Sequence, residues 1–168
     1  MEAQRTEIII LDDSEQVRAE IAAEVRRIFP DLNISESGDA EKVMKAIDEF
    51  AAKILILISD SQMRDSIEMR LAEKAGDVGE AKERSSFPNP DGMDIVQSAK
   101  RAGIPHVAYY SINSSWAGEM MKGDGIVCIT KPSHGCQGKD GHEDPKHPAL
   151  KAWLEGIRAT ISSETPPR

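Results

Sequence analysis

Four short runs of aliphatic and β-branched residues constrain the fold more than any other feature of this chain: Glu7 to Leu11, Lys53 to Ser59, His106 to Tyr110 and Ile126 to Thr130. Each has strand length, and each is too continuously apolar for a strand with one wet face. They predict strands covered on both sides, as in a parallel sheet. A fifth, weaker run lies at Leu32 to Glu36. Helical periodicity fills the stretches between. Val17, Ile21, Val25 and Ile28 make one apolar stripe; Ala40, Val43, Ile47 and Phe50 make a second; Met93, Val96 and Ala99 a third; and Leu150, Trp153, Ile157 and Ile161 a last. Asp39 is a helix N-cap by position, and Gly103 followed by Pro105 is a stop signal. The segment Asn113 to Lys122 is read as one more helix.

Alternation of strand and helix, repeated to five of each, predicts an α/β domain, because right-handed crossovers wind helices onto both faces of a parallel sheet. The expected architecture is a three-layer αβα sandwich. With 168 residues, 39% of them hydrophobic and 30% charged, the chain has the size and composition of one globular domain with a substantial core. Two stretches interrupt the alternation, Gln62 to Pro90 and Ser133 to Pro148. The reading is a single domain over residues 1–162 with insertions at about 64–89 and 133–147, and a frayed tail at 163–168 carrying Pro166 and Pro167.

Charge and composition exclude several classes. Lys and Arg number 21 against 29 Asp and Glu, a net charge of −8, so the overall field repels phosphate backbones and anionic lipid, and nucleic-acid binding is disfavoured. The longest aliphatic run, Ile54 to Ile58, is far short of a membrane span, and no signal-peptide pattern opens the chain. Cys128 and Cys136 form no disulfide framework, which fits a reducing compartment and a cytoplasmic protein.

Ligands of open parallel sheets bind beyond the carboxyl ends of the strands, so the residues that follow each apolar run carry the functional information. The first strand is followed by Asp12 and Asp13, the third by Asp60, the fourth by Ser111, and the fifth by Lys131 and Pro132. Three carboxylates on one rim repel one another unless a divalent cation or a cationic side chain neutralises them. Magnesium suits such a set, since it prefers oxygen ligands, needs one or two carboxylates and keeps room for a phosphoryl oxygen. Lys131 would add a point charge to that phosphoryl group and Ser111 a hydrogen bond. The chemistry this suggests is phosphoryl transfer to a carboxylate. Solvated caps and turn residues are the bland account of each acid taken singly; the joint occurrence of all of them at successive strand ends argues against it.

This distributed pattern resembles the receiver domains of two-component response regulators, of the chemotaxis-regulator type. The pieces that carry the resemblance are LDDS at 11–14, ILISDSQM at 56–63, PDGMDIV at 90–96, YYS at 109–111 and ITKP at 129–132. It implies a flavodoxin-like doubly wound sheet of five parallel strands in the order 2-1-3-4-5. It further implies that Asp60 is the phosphoacceptor, that Asp12, Asp13 and Asp60 hold Mg2+ together with the backbone carbonyl of Gln62, and that Ser111 and Lys131 contact the phosphoryl oxygens. The Lys131–Pro132 bond would be cis. The donor would be a sensor histidine kinase or a histidine phosphotransfer protein, with an output protein that the sequence does not name. With seven residues left after Ile161, a stand-alone receiver acting by docking is the expectation.

Three departures from the family pattern stand out. Met63 is followed by Arg64 where the family has proline, and Pro90, Asp91 and Gly92 arrive more than twenty residues late. Within that extra segment Met63, Ile67, Leu71 and Ala75 fall at helical spacing, as for a short amphipathic helix that packs on the domain's own edge or forms a partner or homodimer surface. Cys128 stands where an aromatic toggle is usual; a buried thiol cannot swing as a tyrosine does, and redox sensing is a weak alternative for it. The loop after Pro132 holds His134, Cys136, His142 and His147, zinc-ligand types whose spacing matches no tight zinc pattern and whose neighbours suit a solvated loop. Tyr109 and Tyr110 are read as core. Two other functions compete with the receiver reading: a receiver-like protein-binding module without phosphorylation, and a magnesium-dependent phosphohydrolase of the haloacid-dehalogenase type. The latter needs two acids separated by one residue, whereas Asp12 and Asp13 are adjacent.

Overall fold

A computed structural model of the chain describes residues 5–60, 92–111, 123–132 and 147–164. Within them five strands, β1 (Glu7–Leu11), β2 (Asn33–Ser37), β3 (Ile54–Asp60), β4 (His106–Ser111) and β5 (Ile126–Thr130), form one sheet in the order β2-β1-β3-β4-β5. All neighbouring pairs are parallel. Four helices surround it: α1 (Glu15–Ile28), α2 (Ala40–Phe50), α3 (Gly92–Arg101) and α4 (Pro148–Glu164). The architecture and strand order expected from the sequence are those observed.

The apolar runs of β1, β3 and β4 are buried on both faces because their alternate residues enter two separate cores, whereas β5, expected to be covered in the same way, is an edge strand that leaves Val127 40% exposed. Ile9, Leu11, Leu57, Val107 and Tyr109 pack with Val43 and Ile47 of α2 and Ile95, Val96 and Ala99 of α3. Ile8, Ile10, Ile56, Ile58, Ala108 and Tyr110 pack with Val17, Ile21 and Val25 of α1 and Leu150, Leu154 and Ile157 of α4. Each such fully buried aliphatic side chain contributes about 1.5–3 kcal/mol relative to exposure. The edge strand β2 is mostly exposed, which explains its weak sequence signal.

Local chemistry sets the ends. The Asp39 carboxylate accepts the N–H groups of Glu41 and Lys42 and opens α2, as expected, and the Ser14 hydroxyl, a cap not singled out from the sequence, accepts the Val17 N–H and opens α1. Gly103 turns the chain out of α3 at φ +79°, a left-handed conformation that favours glycine. Small shifts separate expectation from structure. A 3-10 turn at Ala51–Lys53 follows α2, so β3 starts at Ile54 and extends through Asp60. Phe50, read as part of the α2 stripe, is 49% exposed at the helix end, its ring beneath the Lys53 ammonium. In α4 the buried stripe runs through Leu154, with Trp153 only partly buried. The Lys131–Pro132 bond is trans and not cis, the isomer that X–Pro bonds prefer intrinsically by about 0.5–1 kcal/mol. The expected helix at 113–122, the amphipathic segment at 63–75, Gln62, and His134, Cys136 and His142 lie outside the described residues.

Candidate functional site

Register brings the expected site residues to one rim. Leu11 pairs with Ser59, so Asp12 leaves β1 beside the point where Asp60 ends β3. Asp60 pairs with Tyr110, and Ser111 pairs with Thr130, so Ser111 and Lys131 follow at the same edge. The Lys131 backbone N–H donates to the Ser111 carbonyl at 2.8 Å, which carries the ladder one residue past β5. One carboxylate oxygen from each of Asp12, Asp13 and Asp60 lies within 4.8 Å of the other two. Among the described residues this is the one place where three such ligands gather.

Burial makes this gathering costly. Asp12 is 1% and Asp60 8% exposed, Asp13 faces solvent, and Ser111 is buried. Among the described residues Lys131 supplies counter-charge, its Nζ 2.5 Å from Asp12 Oδ2 and 3.0 Å from Asp60 Oδ1. The site is partly desolvated, so Coulomb terms among these charges are larger than in water. The donor set is hard oxygen throughout, which fits a small divalent cation.

Asp12 is held tightly in place. Its Oδ1 accepts the Ser14 backbone N–H at 2.9 Å, and its backbone carbonyl accepts from Arg18 Nη1 at 2.5 Å. Gly38 makes room for that guanidinium, since a Cβ there would lie 2.8 Å from Nη1. Thus the loop after β1, the start of α1 and the turn before α2 all converge on the residue Asp12, the Ser14 N–H at its carboxylate and Arg18 at its backbone carbonyl.

Below the rim lies a second polar group that the sequence did not reveal. The Lys131 ammonium sits 5.4 Å from the centroid of the Tyr110 ring. The Tyr110 hydroxyl meets His147 Nδ1 at 2.5 Å, and His147 Nε2 meets Glu20 Oε2 of α1 at 3.3 Å. His147, read as part of a solvated loop, is 8% exposed and immediately precedes α4. Its partners are 37 and 127 positions away, and no local pattern announces contacts of that kind. Burial pushes the His147 pKa down against the opposing pull of Glu20, and pushes the Tyr110 phenol up, helped by the charges of Asp12, Glu20 and Asp60. Cys128 is a partly buried free thiol whose pKa burial also raises, the opposite of what a reactive cysteine requires.

No family model matches the sequence, and no curated protein matches it either. Solved structures do. The phosphorylated cyanobacterial phytochrome response regulator RcpA superimposes with a TM-score of 0.57 at 14% identity, covering 98% of this chain and 99% of that one. The response regulator domain of Thermotoga maritima CheB gives 0.55 at 16% identity, with 97% and 100% covered. A response regulator receiver domain protein from Clostridium thermocellum gives 0.53 at 10% identity, with 93% and 98% covered. The chain therefore has the fold of response regulator receiver domains.

Proposed function

We propose that this chain is a response regulator receiver that accepts a phosphoryl group on Asp60 and signals by conformational change and partner docking. The observation that carries the reading is the meeting of Asp12, Asp13 and Asp60 with Lys131 at the carboxyl rim of a 2-1-3-4-5 sheet. Fold alone is compatible with many functions; this charge arrangement on this fold narrows them to chemistry on a phosphoryl group.

In the reaction a carboxylate oxygen of Asp60 forms a bond to phosphorus as the N–P bond of a phosphohistidine breaks, its electron pair going to the departing imidazole. The donor is a sensor histidine kinase or a histidine phosphotransfer protein. Mg2+ held by Asp12, Asp13 and Asp60 would offset the charge of the transferring group. Lys131 then has phosphoryl oxygens to neutralise, and the Ser111 hydroxyl donates to them. The product is an acyl phosphate whose hydrolysis resets the switch, so the chain is a phosphoacceptor and not a turnover enzyme. Local charge change at the rim biases a two-state arrangement of the surrounding loops.

Incubation with acetyl phosphate and Mg2+, followed by intact-protein mass spectrometry, tests this. Wild type is expected to gain one phosphoryl group and Asp60→Asn none, with chelation of Mg2+ suppressing the wild-type signal. Labelling of Asp60→Asn at the wild-type rate would overturn the assignment.

A further inference from the structure

We propose that His147 is a positioning residue for the acidic rim: with Glu20 it fixes the Tyr110 ring beneath Lys131, and so sets where the ammonium that serves Asp12 and Asp60 can stand. The proposal rests on the phosphoacceptor reading above.

Burial favours one of the protonation patterns that these distances allow, the one with a neutral imidazole. The Tyr110 phenol keeps its proton, because burial and the nearby carboxylates disfavour the phenolate. On a neutral imidazole whose proton faces the Glu20 carboxylate, Nδ1 is a lone-pair acceptor, and the phenol donates to it. The remaining proton sits on Nε2 and donates to Glu20 Oε2. Neutral His147 thus satisfies both neighbours, one on β4 and one on α1, from its place at the head of α4. The two rings meet edge on, with centroids 5.7 Å apart and planes at 68°, which leaves the Tyr110 face turned to Lys131. An ammonium over an aromatic face is attracted by the ring quadrupole, so the ring braces the cation against the pull of the carboxylates.

Protonation of His147 reverses this bond: Nδ1 donates to the phenol oxygen, the Tyr110 proton has to turn to another acceptor, and a charge is placed in a buried site. The groups that decide when this happens are Glu20 and Glu24 of α1, which favour the proton, and Lys131 and burial, which oppose it. Acid should therefore loosen the Tyr110 anchor, and through it the placement of Lys131.

The test is the rate of phosphorylation by acetyl phosphate with Mg2+ between about pH 5 and pH 8, in wild type, His147→Ala, His147→Gln and Tyr110→Phe. Disturbing groups that orient a reactive shell costs about tenfold or more in activity, and that loss is expected for His147→Ala and Tyr110→Phe at the alkaline end. His147→Gln, whose amide oxygen accepts the phenol but takes up no proton, should keep a rate near wild type there and lack the acid-side fall that wild type shows. Imidazole NMR gives an independent reading, since Tyr110→Phe removes a bond to the neutral form and should raise the His147 pKa. Should His147→Ala fail to fold, His147→Gln and Tyr110→Phe decide. A His147→Gln profile superimposable on wild type, or an unmoved His147 pKa in Tyr110→Phe, overturns the positioning role while leaving the phosphoacceptor reading intact. A wild type that takes no phosphoryl group overturns both.

Discussion

Tyr109 and Tyr110 follow one another in β4, are 2% and 1% exposed, and enter different interiors on opposite faces of the sheet. Tyr109 joins the layer of Leu57, Ile95, Val96 and Val107 beneath α2 and α3. Tyr110 enters the layer beneath α1 and α4, where its hydroxyl begins the chain through His147 to Glu20 and its ring lies under Lys131. The lesson is an added task on one face. Both sides hold the sheet by apolar contact, and on the α1 and α4 side the bonds from Tyr110 through His147 to Glu20 also tie β4 to two helices.

This contrast can be broken or sharpened by measurement. The largest effect belongs to the apolar contacts: Leu57→Ala should destabilise by about 3 kcal/mol in denaturant unfolding, with no dependence on pH. Next comes Tyr110→Phe, which strips His147 Nδ1 of its donor in a buried site and should cost about 1–2 kcal/mol. An equal cost for the two would erase the distinction between packing and directional bonding. The smallest and most diagnostic effect is the pH dependence. The folded protein holds the His147 pKa below the usual 6.5, so the unfolded chain binds the extra proton first as acid is added. The His147 contribution to stability is therefore complete above pH 6.5 and lost as pH falls toward the lowered folded-state value. His147→Gln should flatten that limb of the stability profile, and Leu57→Ala should leave it in place. A limb that survives His147→Gln would assign it to other groups.

Much of the architecture was legible because the chain states it locally. Strands buried on both faces have to be continuous in apolar residues, Asp39 can cap only the helix that follows it, and Gly103 can take a φ that other residues avoid. The rim was legible for a related reason: in a parallel sheet every carboxyl end lies on one edge, so Asp12, Asp60, Ser111 and Lys131 could be gathered from four separate strands by topology alone. Side-chain bonds across the interior carry no such signature. Nothing around His147 distinguishes it from His134 or His142, and its burial follows from where α4 begins and from a tyrosine two strands earlier. The thinly buried β2 was hard to see for the opposite reason, since an exposed edge strand needs few apolar residues.

The bond from the Lys131 N–H to the Ser111 carbonyl has one more consequence. It clamps the main chain at the place where the cation is mounted, and leaves the four-carbon stem above as the part that can adjust. When the balance of charge over the aspartates changes, the adjustment falls to that stem, and the β scaffold beneath serves as its anvil.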